Sequence, residues 1–326
     1  MIADSLQKVI YGFSWYLDIV CEDWYALVWP SATDYKIVMP LPVKHKYGFP
    51  VLYQPHFCQY LGIFSNNNLT ERQVVTFLSA CYSHYYYISS YSFHPENYKT
   101  LQMSLQSLAN IKYVVNTTSW LSSDGSENDL AAGYTYDRKY NLKSGLQWSW
   151  ELGKSNDLKP IIELFANNHA SGIEGGVGIG SYKVLEAIFT ETQRRKCSEL
   201  WYAKQGDQIH AGILLLKEAN FAIYIFNAAN DTGRIGNART VLLDHYFTQN
   251  TERLTIFDFE SPQVDSIKSF YRSFGGDEIP FITIEKTSLP FPLQQLLFLR
   301  RLLIKAKRDL YGVLCKILDP FRATRS

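Results

Sequence analysis

Two runs rich in isoleucine, leucine and aromatic side chains, His210–Leu216 and Phe221–Phe226, read as adjacent strands of a buried sheet. A polar, glycine-bearing stretch starts at Asn227. Beyond it Val241, Leu242, His245 and Tyr246 recur at helical spacing. Leu254–Phe259 reads as another buried strand, with Asp258 and then Glu260 at its end. Val264, Ile267, Phe270, Tyr271 and Phe274 form a helical apolar stripe that Gly275 and Gly276 terminate, and Pro280–Glu285 reads as a closing strand. The predicted order over this half is strand, strand, loop, helix, strand, helix, strand.

The N-terminal half is patterned differently. Trp24–Trp29 and Tyr35–Met39 are apolar, strand-like runs separated by Pro30 to Asp34, a hairpin signature. Pro50–Tyr53, Tyr60–Phe64, Tyr85–Phe93 and Tyr113–Thr117 read as further strands. Thr70–Ser83 predicts an amphipathic helix with Thr70 as N-cap and Val74, Phe77, Leu78 and Cys81 on its buried face. Between the halves, 120–129 is polar and turn-rich, Leu158–Asn168 and Tyr182–Arg194 predict helices, and Glu199–Ala203 predicts a strand. The glycine-rich run 172–180 lacks the spacing of a nucleotide loop and reads as a plain loop.

Composition narrows the class. A chain of 326 residues with 46% hydrophobic and 19% charged residues is globular and long enough for two domains. A net charge of +1 gives no whole-chain attraction for nucleic acid, so no DNA partner is expected. Five cysteines (Cys21, Cys58, Cys81, Cys197 and Cys315) form no C-x-x-C pair and read as thiols of a reducing compartment. No histidine has metal-ligand spacing, so no metal is expected. No signal-peptide pattern opens the chain and no apolar run is long enough to span a bilayer, which makes the cytoplasm the expected location.

The stretch after the second strand carries the candidate chemistry. Gly233, Gly236 and Ala238 form a G-x-x-G-x-A pattern running into a helix start. Small residues there let phosphates approach backbone N–H groups beside the positive end of the helix dipole, and Arg234 and Arg239 could add charge. On these residues alone a solvent-exposed turn accounts for the pattern slightly better.

Together with the strands and helices C-terminal to it, this stretch resembles the acyl-CoA-binding half of the GNAT acyltransferase superfamily. Asp258-Phe259-Glu260-Ser261 and Phe270-Tyr271-Arg272-Ser273-Phe274-Gly275 resemble segments of its Fem-type branch, which includes the peptidoglycan-bridge aminoacyltransferases. Tyr53-Gln54-Pro55, Phe57, Gln59 and Leu61-Gly62-Ile63-Phe64 are similar to the first-domain signature of the same branch. Two positions depart: Gly233 stands where the phosphate pattern has Arg or Gln, and Ser261-Pro262 stands where relatives have Gly-Ser.

The resemblance implies an α+β fold of two tandem GNAT-like mixed-sheet domains flanked by helices. Residues 1–135 and 136–290 would form them, the second holding the acyl-donor site. It implies N-acyl transfer from acyl-CoA, acetyl-CoA first among donors, to a small-molecule or cell-envelope amine. The alternatives are an aminoacyl-tRNA-dependent transferase and a non-catalytic binding protein. Gly233, Arg234, Ile235, Gly236, Asn237, Ala238 and Arg239 would hold the cofactor. Asp258 and Glu260 would activate or orient the amine, and Tyr271 would protonate the leaving thiolate. Outside the resemblance, 291–326 reads as a basic helix in which six apolar residues alternate with Arg300, Arg301, Lys305, Lys307 and Arg308. Either a helix folded back on the body or a peripheral contact with an anionic membrane surface fits it.

Overall fold

In a computed structural model the described residues are 1–46, 48–108, 111–123, 130–170, 177–250, 254–260, 263–289, and positions 291, 292, 295, 296, 299, 302 and 303. Most of the predicted basic helix, from 304 onward, and residues 171–176 of the glycine-rich run therefore lie outside the described residues.

The predicted hairpin is present as β1 (Asp23–Pro30) and β2 (Tyr35–Lys46), antiparallel from Asp23↔Val43 to Pro30↔Tyr35. Next come β3 (Phe49–Leu52) and the short β4 (Phe64–Ser65). Helix α1 (Ser14–Val20) precedes them and α2 (Glu71–His84) follows. The start of α2 is locked reciprocally. Gln73 N–H donates to Thr70 Oγ1 at 3.3 Å, and Thr70 N–H donates to Gln73 Oε1 at 2.9 Å. Val74, Phe77, Leu78 and Cys81 are its buried face, as their spacing predicts. Strand β5 (Tyr87–Ser92), helix α3 (Tyr98–Gln106) and strand β6 (Lys112–Ser122) complete this half. Trp120 and Leu121, read as part of a polar turn, are buried at the end of β6 because that strand runs further than its apolar core suggests.

The second half begins with α4 (Tyr136–Leu146), β7 (Glu151–Ser155), α5 (Lys159–Asn168) and α6 (Ile179–Arg194). Strands β8 (Ser198–Gln205), β9 (Gln208–Glu218) and β10 (Phe221–Ala229) form a meander. Two helices follow, α7 (Asp231–Ile235) and α8 (Ala238–Asn250), then β11 (Ile256–Asp258), α9 (Asp265–Arg272) and β12 (Asp277–Thr287).

The two halves repeat one plan. In each, an antiparallel pair leads through helix to a parallel partner: β2–β3 then β5, and β9–β10 then β11. All the strands join one mixed sheet in the order β1-β2-β3-β5-β12-β6-β11-β10-β9-β8-β7, with β4 on β2. β12, last in the chain, lies between β5 and β6 of the first half, so the sheet runs unbroken across residue 135. Along β9 the pleat deals side chains to two cores. Leu214 and Leu216 enter one, and Ala211, Ile213 and Leu215 enter the other. α5 covers the first face of β9 and β10, while α8 covers the second face of β8 and β9. Both faces are covered there, which is why β9 reads as a continuous apolar run rather than an alternating one.

Candidate functional site

Strands β10 and β11 are hydrogen-bonded in parallel over only three residue pairs, Phe221↔Ile256, Ala222↔Phe257 and Ile223↔Asp258. β11 is paired with β6 along its whole length, and after Asp258 the chain stays with that strand, Phe259 N–H donating to Ser119 O at 3.0 Å. β10 meanwhile continues along β9, with a register shift between Tyr224 and Phe226. The strands therefore splay, and a cavity of about 430 Å³ occupies the opening. Tyr224 to Asn227 of β10 line one side, Phe259 and Glu260 another, and Ile267 and Tyr271 of α9 a third. Phe57, Phe165 and Tyr182 close it with an aromatic wall, in which Phe165 and Phe226 have ring centroids 4.7 Å apart.

The two predicted carboxylates have separate places. Asp258 is fully buried below the cavity. Its Oδ1 accepts from Thr118 Oγ1 at 2.6 Å and from Glu260 N–H at 2.9 Å, and its Oδ2 accepts from the Tyr60 hydroxyl. Glu260 lines the cavity in the left-handed backbone region, φ 49°, and its Oε1 accepts from the Tyr11 hydroxyl. Burial, with the Asp258 charge behind it, pushes the Glu260 carboxyl up to about 8. Burial raises Asp258 as well, against the hydrogen bonds that favour its ionised form, that of Thr118 first. Glu260 is therefore the member of the pair that lines the cavity, and Asp258 lies fully buried behind it.

Tyr271 lies across the same cavity, its ring stacked on Phe259 at 4.8 Å. Burial raises its hydroxyl to about 12, opposed by the Arg239 charge and a hydrogen bond from Asn227. Asn227 also accepts from Arg239 Nη1 at 2.7 Å, so one polar relay joins the first turn of α8 to the cavity. Tyr224 brings a second buried hydroxyl to the lining.

The predicted phosphate residues divide into two groups. Asp231–Ile235 is a helix rather than a loop, because the Asn230 side chain caps it by accepting from Gly233 N–H at 2.9 Å. The N–H groups of Arg234, Gly236 and Asn237 donate to Asn230 O, Thr232 O and Arg234 O. The space a Cβ would fill is taken by protein at both glycines: His210 O at Gly233 (2.2 Å) and Trp150 at Gly236 (2.4 Å). Arg234 is engaged with Asp231, and Ile235 points to solvent. Ala238 and Arg239 open α8, whose first-turn amides have no carbonyl of their own helix to bond. Protein thus fills the space at both glycines, Ala238 is fully buried, and Arg239 is engaged with Asn227.

Sequence patterns missed Tyr11, Tyr60, Thr118 and Asn227. Tyr11 and Glu260 are 249 residues apart, and nothing local marks either as the other's partner. Among the described residues no group of three or more His, Cys, Asp and Glu is placed to hold a metal ion. No helix among them is long and apolar enough to cross a membrane.

No protein-family model matches the chain, and no curated protein matches it in sequence. Solved structures do resemble it. FemX is 12% identical, with a TM-score of 0.63 over 90% of this chain and 96% of that one. A conserved protein of unknown function from Bacteroides thetaiotaomicron is 9% identical, with a TM-score of 0.55 over 87% of this chain and 90% of that one. The C-terminal domain of a putative lysylphosphatidylglycerol synthetase from Agrobacterium fabrum is 11% identical, with a TM-score of 0.50 over 87% and 94%. Identities this low establish the fold alone, an architecture like that of FemX.

Proposed function

We propose that the chain is an acyltransferase that moves an acyl group from a thioester donor to an amine in the β10/β11 cavity. One observation carries the reading. Glu260 and Tyr271, from different elements, face a single cavity with opposite proton-transfer properties. A carboxyl titrating at about 8 can remove the proton from an attacking amine, and a hydroxyl held at about 12 stays protonated to give one up. The amine nitrogen bonds to the acyl carbon, the carbon–sulfur bond breaks, Glu260 takes the amine proton and Tyr271 supplies one to the departing sulfur.

Acyl-CoA is the donor the surroundings favour. Among the described residues, no strand pairs beyond Ile223 with the edge of β10 that faced β11. An extended, amide-bearing arm can pair with such an edge as a strand would. Arg239, joined to the cavity through Asn227, offers a positive charge to an anion. The aromatic wall suits a compact, apolar acyl group over a charged one.

For the acceptor we favour a cell-envelope amine. Leu296, Leu299, Leu302 and Leu303 are exposed within a segment carrying Arg300, Arg301 and Lys305, which supports a peripheral contact with an anionic membrane surface.

The test is mass-spectrometric detection of acylated amines from acetyl-CoA, longer acyl-CoAs or charged tRNA, over a panel of small-molecule and envelope amines. Glu260→Gln should lower kcat/KM by about 100-fold or more. Transfer from charged tRNA alone would replace the donor. No transfer from any donor, or full activity in the variant, would refute the proposed chemistry.

A further inference from the structure

Among the described residues, six that are not glycine adopt positive φ, and only Phe57 (57°) and Glu260 (49°) of these line the cavity. Both are held by tyrosine hydroxyls from one segment near the start of the chain. The Tyr11 hydroxyl donates to Glu260 Oε1, and the Tyr16 hydroxyl donates to Phe57 O at 2.5 Å. Both tyrosines are fully buried, and their ring centroids are 5.3 Å apart. Tyr11 also packs edge-on against Tyr60, the donor to Asp258, at 6.1 Å.

A left-handed backbone at a side chain of this size persists only where the surroundings over-determine it. Here the surroundings are the turn ending at Gly12 and helix α1, which belong to neither strand of the splay. Core packing requires no polar atom from them, since a phenylalanine would fill the same space. Each hydroxyl instead meets a cavity-lining residue.

We infer that Tyr11 and Tyr16 are positioning residues of the transfer site: Tyr11 aims the Glu260 carboxyl at the acceptor, and Tyr16 holds the Phe57 wall against it. The inference rests on Glu260 being the base of the proposed transfer. The other groups around that carboxyl are Asp258 on β11, Cys58 and Tyr60 from the segment before β4, Tyr271 on α9, and His56 across the cavity. Tyr11 alone among them donates a side-chain hydrogen bond to it. That bond stabilises the carboxylate, so its loss moves titration upward.

The test titrates the Glu260 carboxyl directly by carbon-13 NMR of the full chain, with the signal assigned by its absence in Glu260→Gln. Tyr11→Phe should raise the midpoint by about one pH unit, and where transfer is measurable it should lower kcat at pH 7 about tenfold while sparing it above pH 9. Tyr16→Phe should leave the midpoint in place and raise KM severalfold. Tyr91→Phe, which removes another buried hydroxyl, bonded to Pro40 O at 2.8 Å, controls for general loosening and should move neither. Should Tyr11→Phe not fold, 3-fluorotyrosine at position 11 keeps the bulk, strengthens the donor and should lower the midpoint.

An unmoved midpoint in Tyr11→Phe, or an equal shift in Tyr91→Phe, overturns the inference. Full activity in Glu260→Gln would instead remove the catalytic reading and leave the measured coupling of Tyr11 to Glu260 standing.

Discussion

Glu260 donates its backbone N–H to Asp258 Oδ1 at 2.9 Å while its own side chain turns away to line the cavity. Two acidic residues separated by one phenylalanine are thus placed at different depths with different duties. Thr118 and Tyr60 complete the cage around Asp258, and Tyr11 meets Glu260. The left-handed turn at Glu260 makes the division, since an extended strand would send both side chains to the same face.

Asp258→Asn would set an NH2 group or a weaker acceptor against three converging donors. The expected loss is roughly 2–3 kcal/mol of folding stability, because a buried donor without its acceptor carries its whole desolvation cost. Chemical denaturation of the variant measures it, and a loss below about 0.5 kcal/mol would deny the cage its role.

Ionising Glu260 costs stability. The folded carboxyl holds its proton up to about pH 8, against an ordinary value of 4.5. Between those limits the folded state binds more protons than the unfolded one, so stability falls as pH rises through the window. Glu260→Gln lacks this slope. Its Tm relative to the unsubstituted protein should rise steadily from pH 5 to pH 9, by an amount equivalent to roughly a few kcal/mol. A difference independent of pH would mean the carboxyl titrates near its ordinary value.

The glycines of the G-x-x-G-x-A pattern make a sharper case. At Gly233, inside α7, alanine for glycine would ordinarily stabilise by about 1 kcal/mol, whereas Gly236 lies between α7 and α8. At Gly233 the new Cβ would meet the His210 carbonyl oxygen at 2.2 Å, and at Gly236 the Trp150 ring at 2.4 Å. Overpacking of this kind costs about 1–3 kcal/mol and outweighs the propensity gain. Both alanine variants should therefore melt lower than the parent. A higher Tm in either would show that the site has room, and with it a cradle for phosphate.

Thr70→Ala removes one side of a two-sided cap at the start of α2, 3.3 Å from Gln73 N–H. It should cost about 1 kcal/mol by denaturation and leave ligand binding untouched. An unchanged stability would mean that the cap adds nothing to packing already supplied by Val74, Phe77, Leu78 and Cys81.

Much of the fold was legible where burial follows a period. The β1–β2 hairpin, the buried face of α2 and the strand–helix order around α8 and α9 all appear in the spacing of apolar residues. Non-local topology was not. Nothing in Asp277–Thr287 marks it as the strand that enters between β5 and β6, because its pairing with β6 joins segments more than 150 residues apart in the chain. Helix α7 was hidden by its brevity, Asp-Thr-Gly after Asn reading as a turn unless the side-chain cap is seen. At the site, strand-end acids and a stripe tyrosine were visible, and Glu260 and Tyr271 do share a cavity. The glycine pattern could be found but not interpreted. A missing Cβ marks a close approach without saying whether ligand or protein approaches, and here Trp148, Trp150 and His210 do.

Calorimetric titration of the purified chain with acetyl-CoA and a long-chain acyl-CoA asks whether the β10/β11 opening holds the acyl donor. Ser181→Trp, a substitution on α6 at the cavity wall that leaves both core clusters alone, serves as the blocked control. The acetyl thioester should bind saturably to the unsubstituted protein, and at least tenfold more weakly to the variant at equal Tm. No heat of binding from a folded protein, or equal affinity in the filled variant, would contradict donor binding in the opening.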